Sequence, residues 1–179
     1  MNRELVAASA AGGFPSAIGR ASDFFGPGAT QTTLGRRVFA NALANKRADF
    51  VGDPDLLHTY SYVPDIAAGL AVLGADHRAV GQVWHLPGPE TLTTRGVLAV
   101  IGTQIGHSVK PRRVPTLALR LAGIFSPMAR GLAEMAYQFE QPFVLDTTKF
   151  ESTFGQSGTT LEVAIKETIA WYRAQGTSS

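Results

Sequence analysis

A chain of 179 residues that is 45% hydrophobic and carries a formal net charge of +2 has apolar side chains enough for the core of one domain or a domain and a half. It contains no cysteine, which excludes disulfides, thiolate metal sites and a Cys nucleophile, and the lack of any apolar run of about 18 residues leads to the expectation of a cytoplasmic chain without a membrane partner. Its basic residues are scattered, with Arg36-Arg37, Lys46-Arg47 and Lys110 to Arg113 as local groups, too sparse for a nucleic-acid face.

Residues 2–11 are rich in Ala and stopped by Gly12-Gly13, which predicts a helix. It opens without a cap, so the natural element is expected to begin upstream. Ser16 to Ser22 predicts an apolar strand that reaches a Gly26-Pro27-Gly28 turn. Arg20, Ser22, Asp23, Phe24 and Phe25 then fall at the strand's carboxyl end, where open α/β sheets bind ligands. A helix follows from Thr33 to Asn45, then a short strand from Asp49 to Val51 and a turn over Gly52 to Asp55. Leu57 to Val63 alternates as one strand, with His58, Tyr60 and Tyr62 on one face. Pro64 opens the next helix, to Gly74, and Asp65 in its first turn suits the positive end of the dipole.

Gln82 to Leu86 predicts a further apolar strand, and Thr93 or Thr94 caps a helix to about Ile105. Val109 to Val114 predicts a strand that Pro111 keeps near an edge. Pro115 to Tyr137 predicts a long apolar helical region broken near Ser126-Pro127. Thr159 to Glu162 spells a capping box, and Leu161, Ile165, Ile169 and Tyr172 form the apolar stripe of a helix that Gly176 ends. This alternation predicts an α/β fold with parallel crossovers, although Ser16 to Ser22 and Gln82 to Leu86 alone read as central strands.

Three stretches resemble the extended short-chain dehydrogenase/reductase superfamily, the NAD-dependent epimerases and dehydratases. Arg20-Ala-Ser-Asp-Phe-Phe-Gly-Pro27 is similar to its Arg-Pro-Ser-Asn-Val-Tyr-Gly-Pro loop, and Tyr60 to Ala67 to its Tyr-Val-x-Asp-Val-Ala element. Asp146-Thr-Thr-Lys149, Phe154-Gly155 and the Leu161 to Trp171 helix resemble its carboxyl-terminal pattern. The resemblance implies the carboxyl-terminal part of a Rossmann-like doubly wound sheet, with a small mixed α/β lobe for substrate. It also implies NAD or NADP as cofactor and a small-molecule substrate as partner. In that family a Gly-x-x-Gly-x-x-Gly turn holds the pyrophosphate, and a Tyr-x-x-x-Lys pair moves the proton, the Lys keeping the Tyr acidic enough. Neither pattern occurs in this sequence, so the chain is expected to lack the cofactor-binding half and to be inactive alone.

By the same resemblance the Ala21 and Ser22 backbone approaches the nicotinamide, while Asp23, Phe25, His58, Tyr60 and Tyr62 face the substrate. His58 stands where sugar-nucleotide enzymes commonly carry an Arg for the diphosphate, and an imidazole has no bidentate fork. Asp23 replaces an Asn and adds negative charge. Both departures point away from a nucleoside-diphosphate sugar. Each residue also has a plainer reading: Asp23 as an Asx-turn residue, the strand aromatics as sheet cover, Asp65 as a dipole carboxylate and Arg112 and Arg113 as a solvated edge. Metal ligation is not expected. A non-catalytic ligand-binding module is the alternative function, and self-association or a complementing chain is the expected response to an incomplete sheet.

Overall fold

The computed structural model describes residues 2–12, 14–114, 124, 131 and 139–176. Apart from Ile124 and Gly131, the helical region expected over Pro115 to Tyr137 lies outside them. The elements are α1 (Asn2–Ala10), β1 (Ile18–Arg20), β2 (Asp23–Phe25), α2 (Arg36–Leu43), β3 (Ala48–Val51), β4 (Leu57–His58), β5 (Tyr60–Tyr62) and α3 (Val63–Ala75). After a short 3-10 turn at His77–Ala79 come β6 (Val83–His85), β7 (Leu92–Thr93), α4 (Thr94–Ile105), β8 (Pro111–Val114), α5 (Thr148–Phe154) and α6 (Leu161–Gly176).

The strand expected over Ser16 to Ser22 is the shorter β1, and Asp23 to Phe25 after it enters a second sheet. β1 lies parallel to β6, with Ile18 opposite Val83 and Arg20 opposite His85, so the two segments that read as central strands are partners. The chain then steps across at Ala21 and Ser22, and β2 lies parallel to β5, with Asp23 opposite Tyr60 and Phe25 opposite Tyr62. Ser22 fixes the step. Its N–H donates to Ser61 Oγ at 2.9 Å and its hydroxyl donates to the Thr59 carbonyl.

The alternating run Leu57 to Val63 divides between two sheets at Thr59. β4 pairs antiparallel with β7, while β5 pairs with β2. The Thr59 N–H leaves both ladders to donate to the Phe143 carbonyl at 2.8 Å, and the Leu145 N–H donates to its hydroxyl at 3.0 Å. In the remaining pair, β3 runs parallel to β8 with Ala48 opposite Pro111. Pro111 opens its strand, a position where its missing N–H breaks no ladder bond. Among the described residues the sheets are thus four two-stranded pairs, three of them parallel.

Helix α2 starts at Arg36 rather than Thr33 because the turn before it is folded too tightly to be helical. A Cβ on Gly35 would stand 2.5 Å from the Thr30 carbonyl oxygen. That oxygen instead accepts from the Arg36 N–H at 2.9 Å. Val38, Phe39 and Ala42 of α2 join Phe25, Tyr60, Tyr62, Leu98, Ile101 and Ile165 in the larger core. A smaller core gathers Leu73, Trp84, Leu86 and Phe150 beside β6. There the Asp146-x-x-Lys149 pattern is structural: Asp146 accepts from the Thr148 N–H at the start of α5, and the Lys149 ammonium sits 4.0 Å from the Trp84 ring centroid.

The capping box expected at the start of α6 is not formed. Both groups that Thr159 would bring to it are taken by Asp65, whose Oδ1 accepts the hydroxyl at 2.6 Å and whose Oδ2 accepts the N–H at 2.9 Å. The helix N–H of Leu161 donates to Glu90 at 2.7 Å. Two carboxylates from distant segments therefore do what the local pattern promised, and Asp65, 8% exposed, is a buried clamp between α3 and α6.

Candidate functional site

Between β2, the turn over residues 30–33, the start of α2 and β3 lies a cleft of about 380 Å³, at the small end of the about 300–1,000 Å³ typical of small-molecule sites. Asp23, Phe24, Arg36, Arg37, Asp49, Phe50 and Phe139 contribute to its walls, with Thr30, Gln31, Thr32 and Thr33 on the turn side.

Asp23 and His58 meet at this cleft although they stand far apart in sequence. His58 Nε2 donates to Asp23 Oδ2 at 2.9 Å, and the two side chains are 5% and 25% exposed. A carboxylate only accepts, so the imidazole carries its proton on Nε2 in this contact. The His58 ring is wedged among aromatics, with ring centroids 4.6 Å from Tyr60 and 5.3 Å from both Phe139 and Phe143. Asp23 Oδ1 makes no hydrogen bond with the described residues. The other acid, Asp49, is held by both guanidinium edges of Arg112. Arg36 and Arg37 are exposed, and their guanidiniums make neither ion pair nor hydrogen bond among the described residues.

The remaining residues singled out from the sequence lie elsewhere. Phe25 is 0% exposed and packs on Phe39 and Tyr62, with centroids 6.3 and 5.5 Å away. Its neighbour Phe24 is 46% exposed and lines the cleft. Tyr60 is buried with its hydroxyl hydrogen-bonded to Thr94 at 2.7 Å, and burial pushes its phenol well above the ordinary value of 10.0. The Tyr62 hydroxyl donates to Glu167, and burial together with that carboxylate raises its phenol too. Ala21 is exposed at the step between the two sheets, whereas both polar groups of Ser22 are spent on β5 and the residue before it. Of the two residues expected to approach a nicotinamide, Ala21 is thus the exposed one.

Arg36, Arg37, Asp49, Phe50 and Phe139 were not anticipated as cleft residues. The Arg36-Arg37 pair after Gly35 was visible as a signal, but nothing local said which way it faced. No group of three His, Asp or Glu among the described residues is arranged to hold a metal ion, and no helix among them is long and apolar enough to cross a membrane.

Short parallel strand pairs flanked by helices, with a cleft beside the step between two of them, define a partial Rossmann-like α/β fold. Several solved structures share it. The chain superposes over 99% of its length on 50% of a dTDP-glucose 4,6-dehydratase from Bacillus anthracis str. Ames, solved in complex with NAD, at a TM-score of 0.73 and 18% identity. An epimerase from Methanothermobacter thermautotrophicus matches 98% of the chain with 48% of its own, at 0.74 and 14%. RMD from Pseudomonas aeruginosa, complexed with NADPH, matches 97% with 53% of its own, at 0.67 and 12%. The chain thus spans about half the length of these structures, and the likeness is one of fold. No family model matches the chain, and no curated protein matches its sequence.

Proposed function

We propose that this chain is the substrate-binding portion of an NAD(P)-dependent oxidoreductase of the epimerase and dehydratase kind, that its ligand is not a nucleoside-diphosphate sugar, and that it does not turn over alone. The observation that carries this reading is the Asp23–His58 pair on a small-molecule-sized cleft, in a fold whose solved examples include enzymes crystallised with NAD or NADPH. An imidazole whose N–H is already given to a carboxylate has no fork to offer a diphosphate. The carboxylate beside it repels one. Tyr60 and Tyr62 hold their protons more firmly than a free phenol, which speaks against either of them as a proton-transfer residue.

Calorimetric titration of the chain with NAD+, NADH, NADP+ and NADPH tests this. The expected result is no micromolar binding; micromolar binding with turnover would overturn the claim of inactivity. A second reading, a ligand-binding module without redox chemistry, rests on the same cleft. It predicts a monomer that melts cooperatively and sharpens its melt with ligand.

A further inference from the structure

The cleft carries an unbalanced charge, and that imbalance narrows the ligand. Of its two carboxylates, Asp49 is already held by Arg112 from outside the cleft and Asp23 accepts from His58. The guanidiniums of Arg36 and Arg37 have no such partner among the described residues. Two guanidiniums without a side-chain partner share the cleft lining with one carboxylate, Asp23, that no guanidinium holds, so positive charge is in excess there, and a guanidinium fork is matched by a planar acid. Asp23 Oδ1 is an acceptor still in want of a donor, and Phe24, half exposed at the cleft, is an apolar wall in want of cover.

Resting on the reading above and deepening it, we infer that the cleft takes a compact monoanionic organic acid: one carboxylate for the Arg36–Arg37 side, a hydroxyl donating to Asp23, and an apolar or aromatic body against Phe24. Each part answers a group the protein leaves unsatisfied. A diphosphate would meet the Asp23 oxygen with like charge. A neutral sugar would leave both guanidiniums unpaired.

The test titrates the chain with 3-phenyllactate, with 3-phenylpropionate, which lacks the hydroxyl, with 2-phenylethanol, which lacks the acid, and with UDP-glucose, reading binding by calorimetry. 3-Phenyllactate is expected to bind saturably, and 3-phenylpropionate about tenfold more weakly, the worth of one hydrogen bond. 2-Phenylethanol and UDP-glucose should not bind. Arg36→Gln and Arg37→Gln should each weaken 3-phenyllactate by about tenfold or more, with circular dichroism confirming the fold, and Asp23→Ala should abolish the preference for the hydroxy acid. Binding unchanged by both arginine variants would overturn the site, and an equal affinity for 3-phenylpropionate would overturn the role of Asp23. UDP-glucose binding in place of the aryl acids would overturn the ligand class while leaving a substrate-binding chain. Binding of none of the four would overturn both readings.

Discussion

Phe24 and Phe25 are adjacent, chemically identical and opposite in consequence. Removing the Phe25 ring opens a void against Phe39 and Tyr62, so Phe25→Ala is expected to cost about 3–5 kcal/mol in urea unfolding. Phe24→Ala, on an exposed wall, should stay within about 0.5 kcal/mol. An equal loss from both would contradict the packing described. Sequence alternation could not tell the two rings apart, because β2 is three residues long and its facing depends on β5 and α2, neither of which is local. The Asp23–His58 contact was hidden for the same reason, since nothing near either residue announces the other. Tyr60 adds a pH dependence. The folded state holds its phenol protonated beyond the ordinary value of 10.0, so the associated stability is complete below pH 10 and declines as pH rises above it. Tyr60→Phe should flatten that alkaline decline in urea melts from pH 8 to 11. It should also cost about 1 kcal/mol at neutral pH through the lost bond to Thr94.

Among elements, α6 shows best how a correct local pattern can have a different physical cause. Its apolar stripe was legible because periodicity is a local property, and the structure buries Leu161, Ile165, Ile169 and Tyr172. Its start was misassigned to Thr159 and Glu162, since the acceptors that matter, Asp65 and Glu90, come from segments far up the chain. Two substitutions separate the accounts. Asp65→Asn should cost about 1–3 kcal/mol by weakening the two bonds from Thr159, whereas Glu162→Ala should change stability by less than about 0.5 kcal/mol. The opposite ranking in denaturant melts would restore the capping box. Leu57 to Val63 teaches the same lesson: its alternation is real, but a single alternating run serves two sheets because Thr59 bonds outside both.

For the whole molecule, the α/β class and the strand character of Ser16 to Ser22 and Gln82 to Leu86 were readable, because parallel strands leave apolar runs. The number of pairs and their separation into small sheets were not, since strand partnership is set by the full topology. β1 pairs with β6 and, among the described residues, has no strand on its other side. A groove between the residues leading into β1 and the end of α3 is lined by Pro15, Leu70 and Val80, the last two among the exposed large apolar residues. A strand edge unpaired among the described residues and exposed apolar side chains each favour association, so the chain should elute above monomer size in size-exclusion chromatography. Leu70→Lys should move it toward the monomer. A concentration-independent monomer for the parent chain would refute this.

The strand pairs also set how the chain must fold in time. Ile18 waits for Val83, Asp23 for Tyr60, Ala48 for Pro111 and Leu57 for Thr93. None of these ladders is a hairpin that can zip from a turn, so each closes a long loop before any of its bonds is rewarded. Helices such as α3 and α4 need only local contacts and form on the microsecond scale. The sheets, and with them the meeting of Asp23 and His58 at the edge of the cleft, belong to the late and slow part of folding.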